Sequence, residues 1–334
     1  MFKLIENEVI KTVYKKRLLL IFAIILILVI LFAYGQSYSI EKNKAQLEKR
    51  IGTSQEYDWR KVVEQQIINQ KNRLDSAYTT ENEKASIRVR IAQLQYSIDN
   101  NINPVNTTAA KFSSAFMEQA IYMFIPLLII MLAADMVSGE ASSGTIKLLL
   151  TRVVPRWKIL LSKYLALVIL EIIVLVFALG ASIAVSGLFF GYGGWMEPVA
   201  AGFKVIGGTL DTSSVINIPQ WQYILLAYSL AFFVSLVIGS ISFMVSVLVR
   251  STAASIGIMM STLVGGTFLS FFLADWEITR YFFMVNLRLT DYLSGKVQPI
   301  EGINMSFSIT VLAIWAIGAL TVSFVRFTKQ DILV

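Results

Sequence analysis

The chain has 334 residues, of which 56% are hydrophobic and only 15% are charged. Soluble domains carry about 25% charged residues, and here the charges alternate with long uncharged stretches, which excludes a soluble globular protein. Cysteine and histidine are both absent, which excludes disulfides, thiol nucleophiles, zinc bound by imidazole and Ser-His catalysis. The net charge of +7 is typical of a membrane protein whose basic loops face anionic lipid, and it does not require nucleic acid as a partner.

The first predicted element is an amphipathic helix over residues 1–17. Phe2, Ile5, Val9 and Val13 recur at helical spacing, with charged residues elsewhere on the helical wheel. Such a helix lies flat on the inner surface of a membrane. A frayed polar tail is the alternative.

Six stretches with few or no charges are long enough to cross a bilayer, which takes about 20 apolar residues. We therefore predict an all-α integral membrane protein with six transmembrane helices. The spans are 18–40, 113–136, 159–190, 222–249, 252–274 and 304–326. No cleavage-site pattern follows the first span, so we expect it to be retained.

Basic residues are concentrated on one side of these spans. Thirteen Lys and Arg residues flank one set of span ends, whereas the short loops on the other side hold four. Because basic loops stay in the cytoplasm, we expect both termini there, including the tail 327–334. The predicted location is the cell membrane, as a multi-pass protein of a bacterial plasma membrane.

A polar segment, 41–112, separates the first two spans. Part of it carries a helical stripe formed by Ile87, Ile91, Leu94 and Ile98. With a turn near residues 76–80, this pattern predicts a helical hairpin outside the cell. The hairpin either binds a substrate or partner, or packs as a cap without binding.

The loop between the second and third spans, 137–158, is the most informative segment. Its two glycines have the spacing of a phosphate-binding loop, but no Lys-Ser or Lys-Thr follows Gly144, which excludes a Walker A motif. The stretch 140–151 instead predicts a short amphipathic helix capped by Ser142 or Ser143. Such a helix is suited to receive force from a soluble partner, and an ordinary interfacial turn is the alternative.

An ordered set of residues runs from this loop into the third span. It consists of an acidic residue, a Gly-Thr pair, an apolar helix, a proline, an apolar residue four positions later and a Ser-Lys pair. In this sequence these are Glu140, Gly144 with Thr145, 146–150, Pro155, Ile159, and Ser162 with Lys163. With the opening Asn7-Glu8 and the ending 327–332, this order resembles the ABC-2 type permeases, the membrane subunits of ABC exporters. The resemblance covers essentially the whole chain, and the insert 41–112 indicates a subgroup with a helical ectodomain.

The resemblance implies that the chain is a gate and not an enzyme. Two copies, or two homologous permeases, would pair above cytoplasmic ABC ATPase subunits that bind ATP and Mg, while this chain holds no cofactor, metal or catalytic residue. The resemblance implies that the N-terminal surface helix and the helix over 140–151 contact the ATPase. The implied coupling residues are Glu140, Gly144, Thr145, Ile146, Leu149 and Arg152. The implied cargo is a peptide antibiotic or another amphipathic molecule, with sodium and lipids left open.

Glu171 lies eight residues after Lys163, about 12 Å further into the third span. An intramembrane carboxylate is costly, so it should face a partner, a cavity or a helix interface. It is the candidate translocation or dimer-interface residue, and a structural hydrogen bond is the alternative.

Two external segments remain. Residues 191–221 are predicted to be a loop, while 275–303 is too aromatic for a free loop and is predicted to dip into the outer leaflet as short helices.

Three other functions compete with an exporter permease. A non-transporting scaffold or sensor with a ligand-binding ectodomain is the main alternative, and substrate flux in vesicles would separate the two. An intramembrane protease is disfavoured because histidine and a Gly-x-Gly-Asp sequence are both absent. A secondary transporter usually shows internal repeats and more buried charges than this sequence has.

Overall fold

The structure, a computed structural model, describes residues 1–51, 58–76, 79–145, 154–206, 208–273, 276–298, 300 and 302–329. Helices make up most of these residues. They are α1 (Phe2–Tyr14), α2 (Arg17–Ile51), α3 (Trp59–Leu74), α4 (Glu81–Asp99), α5 (Ala109–Ala120), α6 (Phe124–Ala133), α7 (Asp135–Ser142), α8 (Arg156–Phe190), α9 (Gln220–Leu248), α10 (Thr252–Phe272), α11 (Leu289–Ser294) and α12 (Met305–Lys329). Two 3-10 helices, Glu277–Tyr281 and Phe283–Asn286, precede α11.

Within the described residues, five helical segments are long and apolar enough to cross a membrane. They are Arg17–Lys42, Phe124–Ser142, Arg156–Phe190, Gln220–Leu248 and Met305–Lys329. A mostly helical protein with several membrane-spanning segments is therefore confirmed. α10 contributes a shorter apolar helix over Thr252–Phe268, so the predicted span 252–274, and with it the total of six, stays a prediction.

The helical bundle has two distinct ends. At one end, which we call the α1 end, Lys163 near the start of α8 meets Glu8 of α1. At the other, the insert end, Lys111 at the start of α5 lies 2.6 Å from Glu197, which follows α8. Successive long helices therefore run between these two ends.

The second predicted span is not one continuous helix. α5 ends at Ala120 and α6 begins at Phe124, and Pro126 lies in the first turn of α6. A proline there would clash with the carbonyl of Tyr122 in an unbroken helix, but its missing N–H costs little in a first turn. The predicted second span, 113–136, therefore consists of two helices, with Pro126 just after the break between them.

The predicted external loop 191–221 contains short strands within the otherwise helical protein. Two antiparallel two-stranded sheets form there, β1 (Pro198–Ala201) with β4 (Ile216–Pro219) and β2 (Lys204–Ile206) with β3 (Thr209–Asp211). Each strand has only three or four residues, which is too short to show an alternating pattern in the sequence.

The insert is built on the helical pair α3 and α4. Their contact surface holds a small core of its own, in which Val63, Ile67 and Leu94 are buried. Both helices begin at a side-chain cap: Asp58 accepts from the Arg60 amide, and Thr80 forms a capping box with Glu83. The insert is therefore an ordered helical hairpin with its own apolar contact.

Replacing Leu94 by Ala should loosen this hairpin without disturbing the spans. A buried Leu→Ala change costs roughly 2–5 kcal/mol, and the insert core has few other apolar residues to compensate. Hydrogen exchange should rise across α3 and α4 while that of α8 and α9 stays unchanged. Ile68→Ala, at a position that is 50% exposed, is the matched control, and equal exchange in both variants would contradict this view of the core.

Candidate functional site

A buried lysine lies at the centre of the α1 end. The side chain of Lys163 on α8 is 1% exposed, and its Nζ lies 2.8 Å from Glu8 Oε2 and 2.7 Å from Glu140 Oε1. Lys11 of α1 also pairs with Glu140. One ammonium group therefore holds the surface helix α1, the end of α7 and the start of α8 together.

A second set of ion pairs extends this contact to α2. Asp135 begins α7, and its carboxylate lies 2.7 Å from Lys15 Nζ and 3.1 Å from an Arg17 guanidinium nitrogen. Thr252, at the start of α10, donates to the same carboxylate at 3.3 Å. Any side-chain carbon added to Gly139 would overlap Asp135 Oδ1, so the glycine makes room for this carboxylate.

These seven charged residues form two neighbouring sets of ion pairs, which together we call the inner ion-pair cluster: Glu8, Lys11, Glu140 and Lys163 in one set, and Lys15, Arg17 and Asp135 in the other. A buried ion pair adds little net stability compared with apolar packing, but removing one partner leaves an uncompensated charge and is strongly destabilising. The cluster therefore makes separate movement of α1, α7 and α8 costly.

Ser246 adds a neutral connection from α9 to the same region. Its hydroxyl accepts from the amides of Val137 and Ser138 and donates to the Ala134 carbonyl at 2.7 Å. These backbone groups lie where α6 passes into α7. The serine thereby satisfies polar atoms at a helix junction that would otherwise be buried without partners.

The structure places Glu140 inside the inner ion-pair cluster. Its side chain is 3% exposed and faces Lys163 and Lys11. Ser142 and Ser143 were predicted to cap the following helix, but both hydroxyls donate back to the Gly139 carbonyl and close the end of α7.

The other residues predicted to contact an ATPase lie beyond α7. Gly144, in the left-handed region at φ +72°, and Thr145 are exposed and turn the chain away from α7. Ile146, Leu149 and Arg152 lie outside the described residues. The exposed turn at Gly144 and Thr145 therefore follows Glu140 by four and five residues, next to the inner ion-pair cluster.

Glu171 is packed within this chain's own helices. It is 1% exposed, and a side-chain carbon on Gly239 of α9 would overlap its Oε1. Because α9 of the same chain covers the carboxyl group, the structure argues against the dimer-interface alternative. Neither oxygen has a hydrogen-bond partner among the described residues, so the structural hydrogen bond is also without support there.

Sequence reasoning missed a second polar network, at the insert end. Glu118 of α5 accepts from the Tyr223 hydroxyl at 2.6 Å and lies 3.0 Å from Lys296 Nζ, which is 3.1 Å from Asp291. Partial burial lowers the pKa of Lys296, but the nearby carboxylates of Glu118 and Asp291 together raise it by a larger amount. The pKa of Lys296 therefore lies above the ordinary lysine value. Gln93 of the insert donates to the carbonyls at the end of α11.

No metal centre is built from these groups. Among the described residues, no set of three or more Asp or Glu side chains is placed to hold a metal ion. The inner ion-pair cluster neutralises its carboxylates with Lys and Arg instead. The interactions within this cluster are electrostatic.

Replacing Lys163 by Met should destabilise the protein by roughly 3–5 kcal/mol, since Glu8 and Glu140 lose their shared cation. Thermal unfolding of the purified protein should show a lower Tm, and Glu140→Gln in the same variant should recover part of the loss. Lys158→Met, at an exposed position on the same helix, is the control. A Tm for Lys163→Met equal to that of the control would show that the ion pairs carry no stability.

The comparisons with known proteins place this chain in a family. A family model described as "Protein of unknown function (DUF2705)" matches residues 71–333. The chain is similar to "Uncharacterized protein YhcI" of Bacillus subtilis (strain 168), with 31% identity over 71% of this chain and 74% of that protein. It is also similar to "Uncharacterized membrane protein YdbK" of the same organism, with 27% identity over 64% of this chain and 79% of that protein. The apolar helices and this membrane-protein relative indicate a membrane location. Because the family model matches more than half of the chain, the chain belongs to the DUF2705 family.

Proposed function

We propose that this protein is the permease subunit of an ATP-driven ABC exporter, moving a peptide antibiotic or another amphipathic molecule out of the cell. The inner ion-pair cluster is the observation that carries the proposal. It fixes a surface helix and the end of α7 to α8, and the exposed turn that follows α7 begins the segment resembling the coupling helix of ABC-2 permeases.

The position of α1 supports an interfacial role. Its inward side carries Glu8 and Lys11, whereas Phe2, Val13 and Tyr14 are exposed. Exposed aromatic and apolar side chains on a surface helix favour the headgroup region of a membrane. Together with the basic residues of the α1 end, this placement supports a cytoplasmic position for the α1 end and for both termini.

The proposed mechanism is a transfer of force. A cytoplasmic ATPase docks on the segment that includes Ile146, Leu149 and Arg152, and its nucleotide-driven movement reaches α7 through the turn at Gly144. The Glu140–Lys163 ion pair then passes the movement to α8. ATP and Mg are bound by the partner, a second permease completes the unit, and this chain does no chemistry of its own.

A second candidate function is a non-transporting sensor with a ligand-binding ectodomain. The observation that favours it is an open groove of about 380 Å³ on the insert, lined by Gln70, Arg73, Glu83, Ser86, Ile87 and Arg90. Substrate flux in vesicles that contain this protein and its ATPase separates the two functions, because a sensor gives no flux.

The direct test is copurification. The chain, coexpressed with candidate ABC ATPases from the same genome, should copurify with one of them, and ATP hydrolysis should be seen only in the complex. Hydrolysis by the purified chain alone, or the failure of any ABC ATPase to associate, would contradict the proposal.

Docking and coupling should separate in two variants. Leu149→Glu places a charge on the apolar face of the proposed coupling helix and should abolish copurification. Glu140→Gln leaves the docking surface intact but weakens the bond to Lys163, so the complex should form while its ATPase activity no longer drives transport. Glu6→Gln, on the exposed side of α1, should behave as wild type, and loss of copurification in Glu140→Gln would show that Glu140 docks the partner directly.

A further inference from the structure

Glu171 is a carboxyl group without a partner in the middle of a membrane-spanning helix. It is 1% exposed, and both oxygens are buried with no hydrogen bond to any described residue. Apolar surroundings penalise such a group heavily. A side chain kept in this state indicates a contact that the resting chain does not itself supply.

The surface of α9 opposite Glu171 carries two more unsatisfied polar groups. Gly239 lies directly against Glu171 Oε1, and Ser235 and Ser242 stand four residues before and three residues after it. That spacing places all three on one face of the helix. Both serine hydroxyls are buried and, within the described part of the chain, have no hydrogen-bond partner.

Lys163 provides an internal comparison on the same helix. It lies eight residues before Glu171 and is equally buried, yet two carboxylates approach it within 3 Å. The chain therefore supplies counter-charges for its buried cation, whereas no Lys or Arg is paired with the buried carboxyl. Within the described residues, Glu171 therefore has neither a counter-charge nor a hydrogen-bond donor.

We propose that Glu171, together with one of the two flanking serines of α9, forms an intramembrane site for an organic ammonium group carried by the transported molecule. This inference rests on the proposed function and deepens it by assigning a cationic amphipath as the substrate class. Ser235 and Ser242 are about 10 Å apart along the helix, so one ammonium group reaches the carboxylate and one of the two hydroxyls. The two carboxylate oxygens and that hydroxyl oxygen are acceptors for its three N–H donors.

The surroundings favour an organic cation over a metal ion. No set of three acidic, histidine or cysteine side chains suited to a metal occurs in the described ranges, and Leu167 borders the site beside Gly239. An apolar wall next to a single carboxylate fits a molecule with a hydrocarbon body and one positive charge. Because the site is closed in this structure, the ligand enters when α8 and α9 move apart.

The test uses the full-length purified protein and octylammonium as the probe, below its micellar concentration. Octanol, octanesulfonate and sodium chloride are the matched controls for chain length, charge sign and simple cation. Two readouts are taken: the rise of Tm with probe concentration, which reports binding, and labelling of Glu171 by a hydrophobic carbodiimide, read by peptide mass spectrometry. Glu171→Gln is compared with Glu64→Gln, which makes the same change at an exposed position of the insert.

Octylammonium is expected to raise the Tm of wild type and Glu64→Gln and to protect Glu171 from labelling. Glu171→Gln should bind it at least about tenfold more weakly. Equal binding by Glu171→Gln, equal effects of octanol or sodium chloride, or no labelling of Glu171 in the ligand-free protein would overturn the proposal. If Glu171→Gln does not fold, the labelling of wild type with and without each probe decides the matter.

Failure of the site and failure of the proposed function give different results. Octylammonium binding at Glu171 without an associated ATPase would keep the site and remove the exporter. An associated ATPase without cation-specific protection would keep the exporter and remove the site.

Discussion

The ammonium group of Lys163 is the contact on which the α1 end depends. Glu8 and Glu140 come from helices far apart in the chain, and both reach one buried cation on α8. Burying these charges is costly, so the arrangement is stable only when all three are present. The network consequently specifies the position of α1 and α7 against α8 more than it adds to overall stability.

Glycine accommodates a carboxylate at two places in the bundle. Gly139 leaves room for Asp135 within one helix, and Gly239 leaves room for Glu171 between two helices. The two carboxylates differ in their surroundings, because Asp135 meets Lys15 and Arg17 while Glu171 meets only neutral groups. The first is paired with two cations, and the second is an unpartnered group in the middle of a long apolar helix.

Much of the fold could be predicted because the signals are local. Long uncharged runs are sufficient to locate spans, and periodic apolar residues are sufficient to locate α1 and α4. Pro126 is a local signal for the break before α6, but the apolar run around it indicates a single span. The strands β1 to β4 are too short to carry a periodic pattern.

The site was harder to predict because its contacts are between distant residues. Glu140 was identified as important, but its partners Glu8, Lys11 and Lys163 could be brought together only by the packing of α1 on α8. The depth of Glu171 followed from its position in the helix. The glycine opposite it lies 68 residues later, and no pattern in the sequence links the two.

The proposed rigid coupling of α1 to α8 during ATP-driven movement can be tested by measuring distances between spin labels. Labels at the exposed Val13 and Trp157 would report the α1–α8 separation in the complex with its ATPase. The separation within one chain should stay constant when ATP is added, while the separation between the Val13 labels of the two permeases changes. An ATP-dependent change within one chain, or no change between the two, would contradict the role assigned to the inner ion-pair cluster.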